Sequence, residues 1–213
     1  MSLSDIKSEF ENYDILKIDE LCEKYSSDNR IGVKKLINFY RKKKENFIIE
    51  MKRLDKLCIF EKEAYKKGFN LIGGIDEVGR GSLAGPVFTA CVILPKDCKI
   101  IGIDDSKKLS SKKREKLYDE ICLKAISYSI GISSVDEIDN INILKATLKA
   151  MKRTLTNIEI KPDYLLVDAL TIPDIDIKQN SIIKGDAKSI SIAAASIIAK
   201  VARDRYMSEI STF

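Results

Sequence analysis

The chain of 213 residues contains no histidine. That absence removes Ser-His-Asp and Cys-His nucleophile systems, histidine-containing zinc sites and imidazole general bases. Any catalysis would fall to carboxylates, lysines, hydroxyls, cofactors or metals. The five cysteines (Cys22, Cys58, Cys91, Cys98, Cys122) are odd in number and never form Cys-x-x-Cys. A disulfide framework and a zinc ribbon are therefore both disfavoured. No apolar run approaches the ~20 residues that a membrane span needs; the longest, Ile190 to Ala199, still carries Ser191 and Ser196. A basic-then-apolar signal pattern is missing from the N-terminus, so residence in the cytoplasm, with no membrane partner, is expected. Internal repeats, low-complexity segments and long structureless linkers are missing too.

What is present suits a folded protein with a sizeable core: 45% of residues are hydrophobic and 32% charged. Charge is unevenly spread. Residues 30–67 hold thirteen Lys or Arg against five Asp or Glu, an excess of eight, whereas the whole chain has a net charge of +5. The remainder is therefore negative by three. A basic arm beside a mildly acidic body suggests a polyanionic partner held near an acidic, cation-binding centre.

Residues 1–70 read as helices. Ser4 or Asp5 is expected to cap a short first helix bearing Ile6 and Phe10, and Ile15 to Cys22 suggests a second. Asp28 is the expected N-cap of a long third helix whose apolar positions run from Val33 to Cys58. Arg41-Lys42-Lys43-Lys44 interrupts that stripe, as either a solvated face or a nucleic-acid contact. After Gly68 the pattern turns strand-like at Leu71–Ile75, Val87–Leu94 and Ile100–Ile103. A helix from Ser110 or Ser111 follows, then a strand at Tyr128–Ile132. Ser134 and Glu137 have capping-box spacing before a helix around Ile143–Leu155. Strands at Tyr164–Val167 and Asn180–Lys184 and a last helix over Ile190–Met207 complete the chain. Strands followed by helix–strand alternation predict an α/β domain with a mixed sheet covered on both faces.

Three strand candidates deliver acids: Asp76 with Glu77, Asp168, and Asp186 just beyond Lys184-Gly185. Four carboxylates on one sheet rim would repel one another strongly, and cations are the usual remedy. Oxygen-only ligands favour Mg²⁺ or Mn²⁺ over zinc. Two such ions, roughly 4 Å apart, could activate water and stabilise the leaving oxygen of a phosphodiester. Adjacent strand residues point to opposite faces, so the strand is expected to stop or bulge at Glu77, in the glycine-rich run Val78-Gly79-Arg80-Gly81. Gly79 to Ala84 also satisfies G-x-G-x-x-A, but Gly85-Pro86 and an extended run follow where a dinucleotide site needs a helix.

Gly74-Ile75-Asp76-Glu77-Val78-Gly79-Arg80-Gly81, Asp105 to Ser110, Leu166-Val167-Asp168, Lys184 to Ser189 and Ala193 to Arg205 together resemble bacterial ribonuclease HII. They stand in that family's order and span about residues 71–207. The resemblance implies an RNase H-like fold, a mixed β-sheet flanked by helices, over residues 71–213, with a basic helical N-terminal extension over 1–70. It implies endonucleolytic cleavage of RNA in RNA–DNA hybrids and of single ribonucleotides embedded in duplex DNA, leaving a 5′-phosphate. On the same grounds Asp76, Glu77, Asp168 and Asp186 would be catalytic and would bind two divalent ions, Mn²⁺ or Mg²⁺. Gly79, Arg80 and Gly81 would read the 2′-hydroxyl, and Ser106, Lys107 and Lys108 would contact phosphates near the cut. Against the family's pattern the chain is expected to lack a C-terminal tail with a junction-recognising tyrosine. A catalytically impaired hybrid-binding fragment is therefore the alternative. A monomer is expected, and residues 1–70 could instead serve as a docking site for another protein.

Overall fold

Local capping chemistry sets where the first helices begin. The Ser2 hydroxyl accepts from the Asp5 backbone while the Asp5 carboxylate accepts from the Ser2 backbone, so α1 (Leu3–Glu11) starts two to three residues before the expected caps. A 3₁₀ turn at Ile15–Lys17, capped by Asp14, leads into α2 (Ile18–Lys24). Asp28 is not the cap of α3 (Ile31–Leu57). Its carboxylate instead takes the backbone and guanidinium of Arg30, just before the helix begins. The computed structural model describes residues 1–211. They form two compact units, Met1–Arg53 and the residues from Leu54 onward, with the division inside α3.

In the first unit Ile6, Phe10, Ile18, Leu21, Val33 and Ile37 close one apolar core. Lys44 of the basic run bonds Asp19, and the Lys43 ammonium lies over the Tyr40 ring.

The second unit holds α4 (Ile59–Lys66), β1 (Ile72–Val78), β2 (Val87–Ile93), α5 (Ser111–Lys124), β3 (Ser127–Ser133), α6 (Val135–Ile141), α7 (Ile143–Asn157), β4 (Tyr164–Asp168), β5 (Lys178–Ile182) and α8 (Ile190–Ile210). Its sheet has the order β3-β2-β1-β4-β5. The β1–β2 and β2–β3 pairs are antiparallel, and β1–β4 and β4–β5 are parallel, so the sheet is mixed as expected. Ser110 caps α5, and Ser134 with Glu137 forms the predicted capping box of α6. The run Ile100–Ile103 closes as a turn, with the Ile103 amide donating to the Ile100 carbonyl. The last strand lies two residues earlier than its pattern suggested, because Lys178 to Ile182 pair in register with Tyr164 to Asp168.

Both sheet faces are covered. Ile75, Cys91, Leu165 and Val167 pack with Met151 and Leu155 of α7 on one side. On the other, Ile72, Leu166 and Ile182 pack with Ile192 of α8. Helix α8 is buried along most of its length, with α5 packed against it. Its approach to the sheet depends on Gly74, where any Cβ would collide with the backbone of Ser191 and Ile192. Among the described residues no helix is long and apolar enough to cross a membrane.

Candidate active site

Strand β1 does not stop or bulge at Glu77. It continues through Asp76↔Ala90, Glu77↔Thr89 and Val78↔Phe88 in unbroken register with β2. Ladder pairing with β2 keeps the strand in register to Val78, and the glycine turn begins only at Gly79. Pairing with the neighbouring strand β4 ends at Ile75↔Val167, so Glu77 lies beyond the last paired residue on that side. Strict alternation sends Asp76 to the α8 face, with Gly74, and starts Glu77 from the α7 face, with Ile75. At the open strand tip the longer glutamate side chain still comes under the field of Asp168, Arg80 and Lys107.

Two non-glycine residues in left-handed backbone mark the neighbouring acids. Ala169 (φ 48) follows Asp168, and Lys184 (φ 57) precedes Gly185-Asp186. Such conformations cost free energy and persist where the surroundings fix them. Here the Ala169 amide donates to the Ile182 carbonyl, and the Gly185 amide donates to Asp168 Oδ1 at 2.6 Å. The second bond ties the Asp186 turn directly to the end of β4.

The electrostatics are those of an acidic centre that nearby cations compensate only in part. Asp76 is 6% exposed. Burial, then the neighbouring Glu77 charge, pushes its carboxyl well above the usual range, with Asp168 adding to the rise. Glu77 is raised by burial and by Asp168, against which Arg80 (3.6 Å from Oε1) and Lys107 pull it down. Its Oε2 is buried without a hydrogen-bond partner. Asp186 is raised by burial, then by Asp105 and Asp168. All four sequence-predicted acids thus fall into one coupled field. An all-oxygen donor set with a buried, unpartnered carboxylate oxygen suits a hard divalent cation. No three acidic or thiol groups among the described residues yet converge into a ready metal cage, so the set is an open rim.

The remaining predicted residues divide by exposure. Arg80 and Gly81 lie exposed on the turn after β1, and the turn leads into strand β2, which excludes the dinucleotide arrangement. Lys107 and Lys108 are exposed on the 3₁₀ turn Ser106–Lys108, whose cap is Asp105. Ser106 is buried, and its hydroxyl meets that of Ser196 on α8 at 2.9 Å. Ser196 also supports the Asp76 carboxylate by a hydrogen bond. A two-serine link therefore joins the lysine turn to the most buried of the four site acids. Sequence reasoning missed Ser196, since a serine in an apolar helix reads as neutral packing. It also missed Glu61 of α4, whose buried Oε1 accepts from Ser189 Oγ (2.5 Å) and the Ser191 amide (3.0 Å) at the start of α8.

Comparison with known proteins bears on the family and the fold. The ribonuclease HII family profile matches residues 73–213, and that of the ribonuclease HII N-terminal domain matches residues 2–65. The ribonuclease HII of Acetivibrio thermocellus is 52% identical over 211 residues, 98% of this chain and 82% of that protein. The crystal structure of ribonuclease H2 from Pyrococcus horikoshii OT3 superposes with a TM-score of 0.58 at 28% identity, covering 67% of this chain and 76% of that one. Bst-RNase HIII, solved in complex with Mn²⁺, shares the fold with a TM-score of 0.58 at 20% identity, over 67% of this chain and 55% of that one. The mixed five-stranded sheet flanked by helices is thus an RNase H-like fold, and the chain belongs to the ribonuclease HII family of endonucleases.

Proposed function

We propose that the chain hydrolyses the RNA strand of RNA–DNA hybrids and nicks duplex DNA on the 5′ side of a single embedded ribonucleotide, leaving a 5′-phosphate. The observation that carries this reading is the coupled set Asp76, Glu77, Asp168 and Asp186, buried or half-buried at adjacent strand ends and held in mutual repulsion. These four would hold two divalent cations, Mg²⁺ or Mn²⁺. When bound, the ions would supply an activated water and stabilise charge on the leaving oxygen. The backbone of Gly79-Arg80-Gly81 contacts the ribose 2′-hydroxyl, the group that separates RNA from DNA. Lys107 and Lys108 face backbone phosphates, and Ser106 anchors their turn from below through Ser196.

Residues 71–213 act as the catalytic domain and residues 1–70 as a basic helical extension that adds phosphate contacts. This is a division by role, since α4 packs with the later unit. The protein works in the cytoplasm as a monomer. Incubating the chain with Mg²⁺ or Mn²⁺ and a 5′-labelled DNA duplex holding one ribonucleotide tests the reading. A single nick on the 5′ side of that ribonucleotide is expected, with an all-DNA duplex left intact. Cleavage of the all-DNA duplex, or none of either, contradicts it.

A further inference from the structure

Arg203 is buried in α8, 7% exposed. Its neighbour Asp204 pairs with Lys200 and Arg114. The Arg203 guanidinium is directed instead at two backbone carbonyls: Nε donates to Pro86 at 3.1 Å and Nη2 to Ala84 at 2.8 Å. Burying a cation is costly unless its donors find acceptors in good geometry. Here the acceptors are the closing residues of the glycine turn between β1 and β2.

The start of that turn meets the same group. Gly79 has φ +102, and a Cβ there would lie 2.6 Å from the Pro86 carbonyl and 2.8 Å from Arg203 Nε. Both ends of the turn therefore close on one planar guanidinium. Between them the segment 80–84 is exposed. Within it the Ser82 amide donates to the Gly79 carbonyl, a bond that closes the tip without anchoring it to the body.

We propose that Arg203 is the positioning residue for ribose recognition: by holding the Ala84 and Pro86 carbonyls close behind Gly79, it fixes the backbone that distinguishes ribose from deoxyribose. This rests on the reading of Gly79-Arg80-Gly81 given above. The hydrogen bonds of Arg203 go to the Pro86 and Ala84 carbonyls and not to the four acids. Only a forked donor can hold both carbonyls at once; lysine keeps the charge but offers no fixed fork. A turn released from the clamp loses the preorganised contact, and a misplacement on the order of 1 Å can cost about 10²-fold in rate.

The test compares the parent chain with Arg203→Lys in Mg²⁺. It measures kcat and KM on a duplex with one ribonucleotide, and the inhibition constant of an all-DNA duplex of the same sequence. The proposal expects kcat/KM to fall roughly 10–100-fold, with KM rising. The all-DNA inhibition constant should stay within about twofold, because phosphate contacts are untouched. Amide exchange should quicken over residues 80–85 and nowhere else in the second unit. The double variant with Gly79→Ala should be little worse than the worse single one, since both act through one contact.

A fall in kcat alone that matches a lower folded fraction by circular dichroism, with KM and the inhibition constant unchanged, would overturn the proposal. An equal loss of affinity for both duplexes would overturn it too. If Arg203→Lys does not fold, Gly85→Ala provides the second arm. Its Cβ would press on Met207 Sδ at 2.7 Å and Arg203 Nη2 at 3.2 Å. Retained discrimination in that variant also counts against the proposal. Should the parent itself fail to prefer the ribonucleotide duplex, the reading of the turn falls first, whatever Arg203 does.

Discussion

Replacing Glu61 separates two roles of one buried carboxylate, hydrogen-bond acceptor and charge. Oε1 takes the Ser191 amide at 3.0 Å and the Ser189 hydroxyl at 2.5 Å, while Oε2 is buried with no partner. Ser189 in turn accepts from the Ile192 amide, so the first turn of α8 hangs on this group. Glu61→Ala leaves a buried amide unpaired, at about 1–3 kcal/mol, and removes a charge-assisted bond of about 1.5–3 kcal/mol. Relief of the buried charge offsets part of that loss. A net destabilisation of about 3 kcal/mol should lower Tm by roughly 6–12 °C in a chain of this size. Glu61→Gln retains the acceptor and turns the unpartnered oxygen into a neutral amide, so it should stay within about 1 kcal/mol of the parent.

Circular-dichroism melts of the three proteins at one pH and salt concentration decide between the roles. Glutamine as damaging as alanine, or alanine indistinguishable from the parent, would refute the acceptor account. Since α8 also carries Ser196 and Arg203, the alanine variant should lose activity near its lowered Tm before the parent does.

Two further outcomes follow from the acidic rim and its flanking turn. Asp76, Glu77 and Asp186 all have carboxyl groups raised on folding, chiefly by burial. Each therefore holds its proton more tightly folded than unfolded. Their contribution to stability is greatest below the usual carboxylate range and declines as pH rises through that range towards the raised folded values. Melts in EDTA should accordingly show Tm falling above about pH 4, and millimolar Mg²⁺ or Mn²⁺ should recover most of the loss at neutral pH; a metal-independent Tm would refute this. Lys107→Ala should weaken hybrid binding and lower the slope of log affinity against log salt by about one, with an unchanged slope as the contrary result.

Much of the fold was legible because its signals are local. Ser134 and Glu137 stand three residues apart, and the alternating burial of β3 follows its sequence. The acids were legible as strand-end residues followed by turn chemistry. What failed was governed by partners distant in the chain. Glu77 stays in a strand because β2 holds it there, although its own neighbours suggest a break. Ile100–Ile103 is apolar enough for a strand, yet it folds as a turn. The Glu61–Ser189, Ser106–Ser196 and Arg203–Pro86 bonds join residues 90 or more positions apart, and no spacing rule encodes them. Asp28 misled for the opposite reason: a nearby arginine competed for a carboxylate well placed to cap.

The most direct test of the central claim is the nicking assay repeated with Asp76→Asn, a change of one oxygen for nitrogen at the most buried of the four site acids. The account predicts that this variant melts no lower than the parent in EDTA, since a repelled charge is gone, yet leaves the single-ribonucleotide duplex uncut in Mg²⁺ or Mn²⁺. Nicking at the parent's rate by a folded Asp76→Asn protein would contradict it.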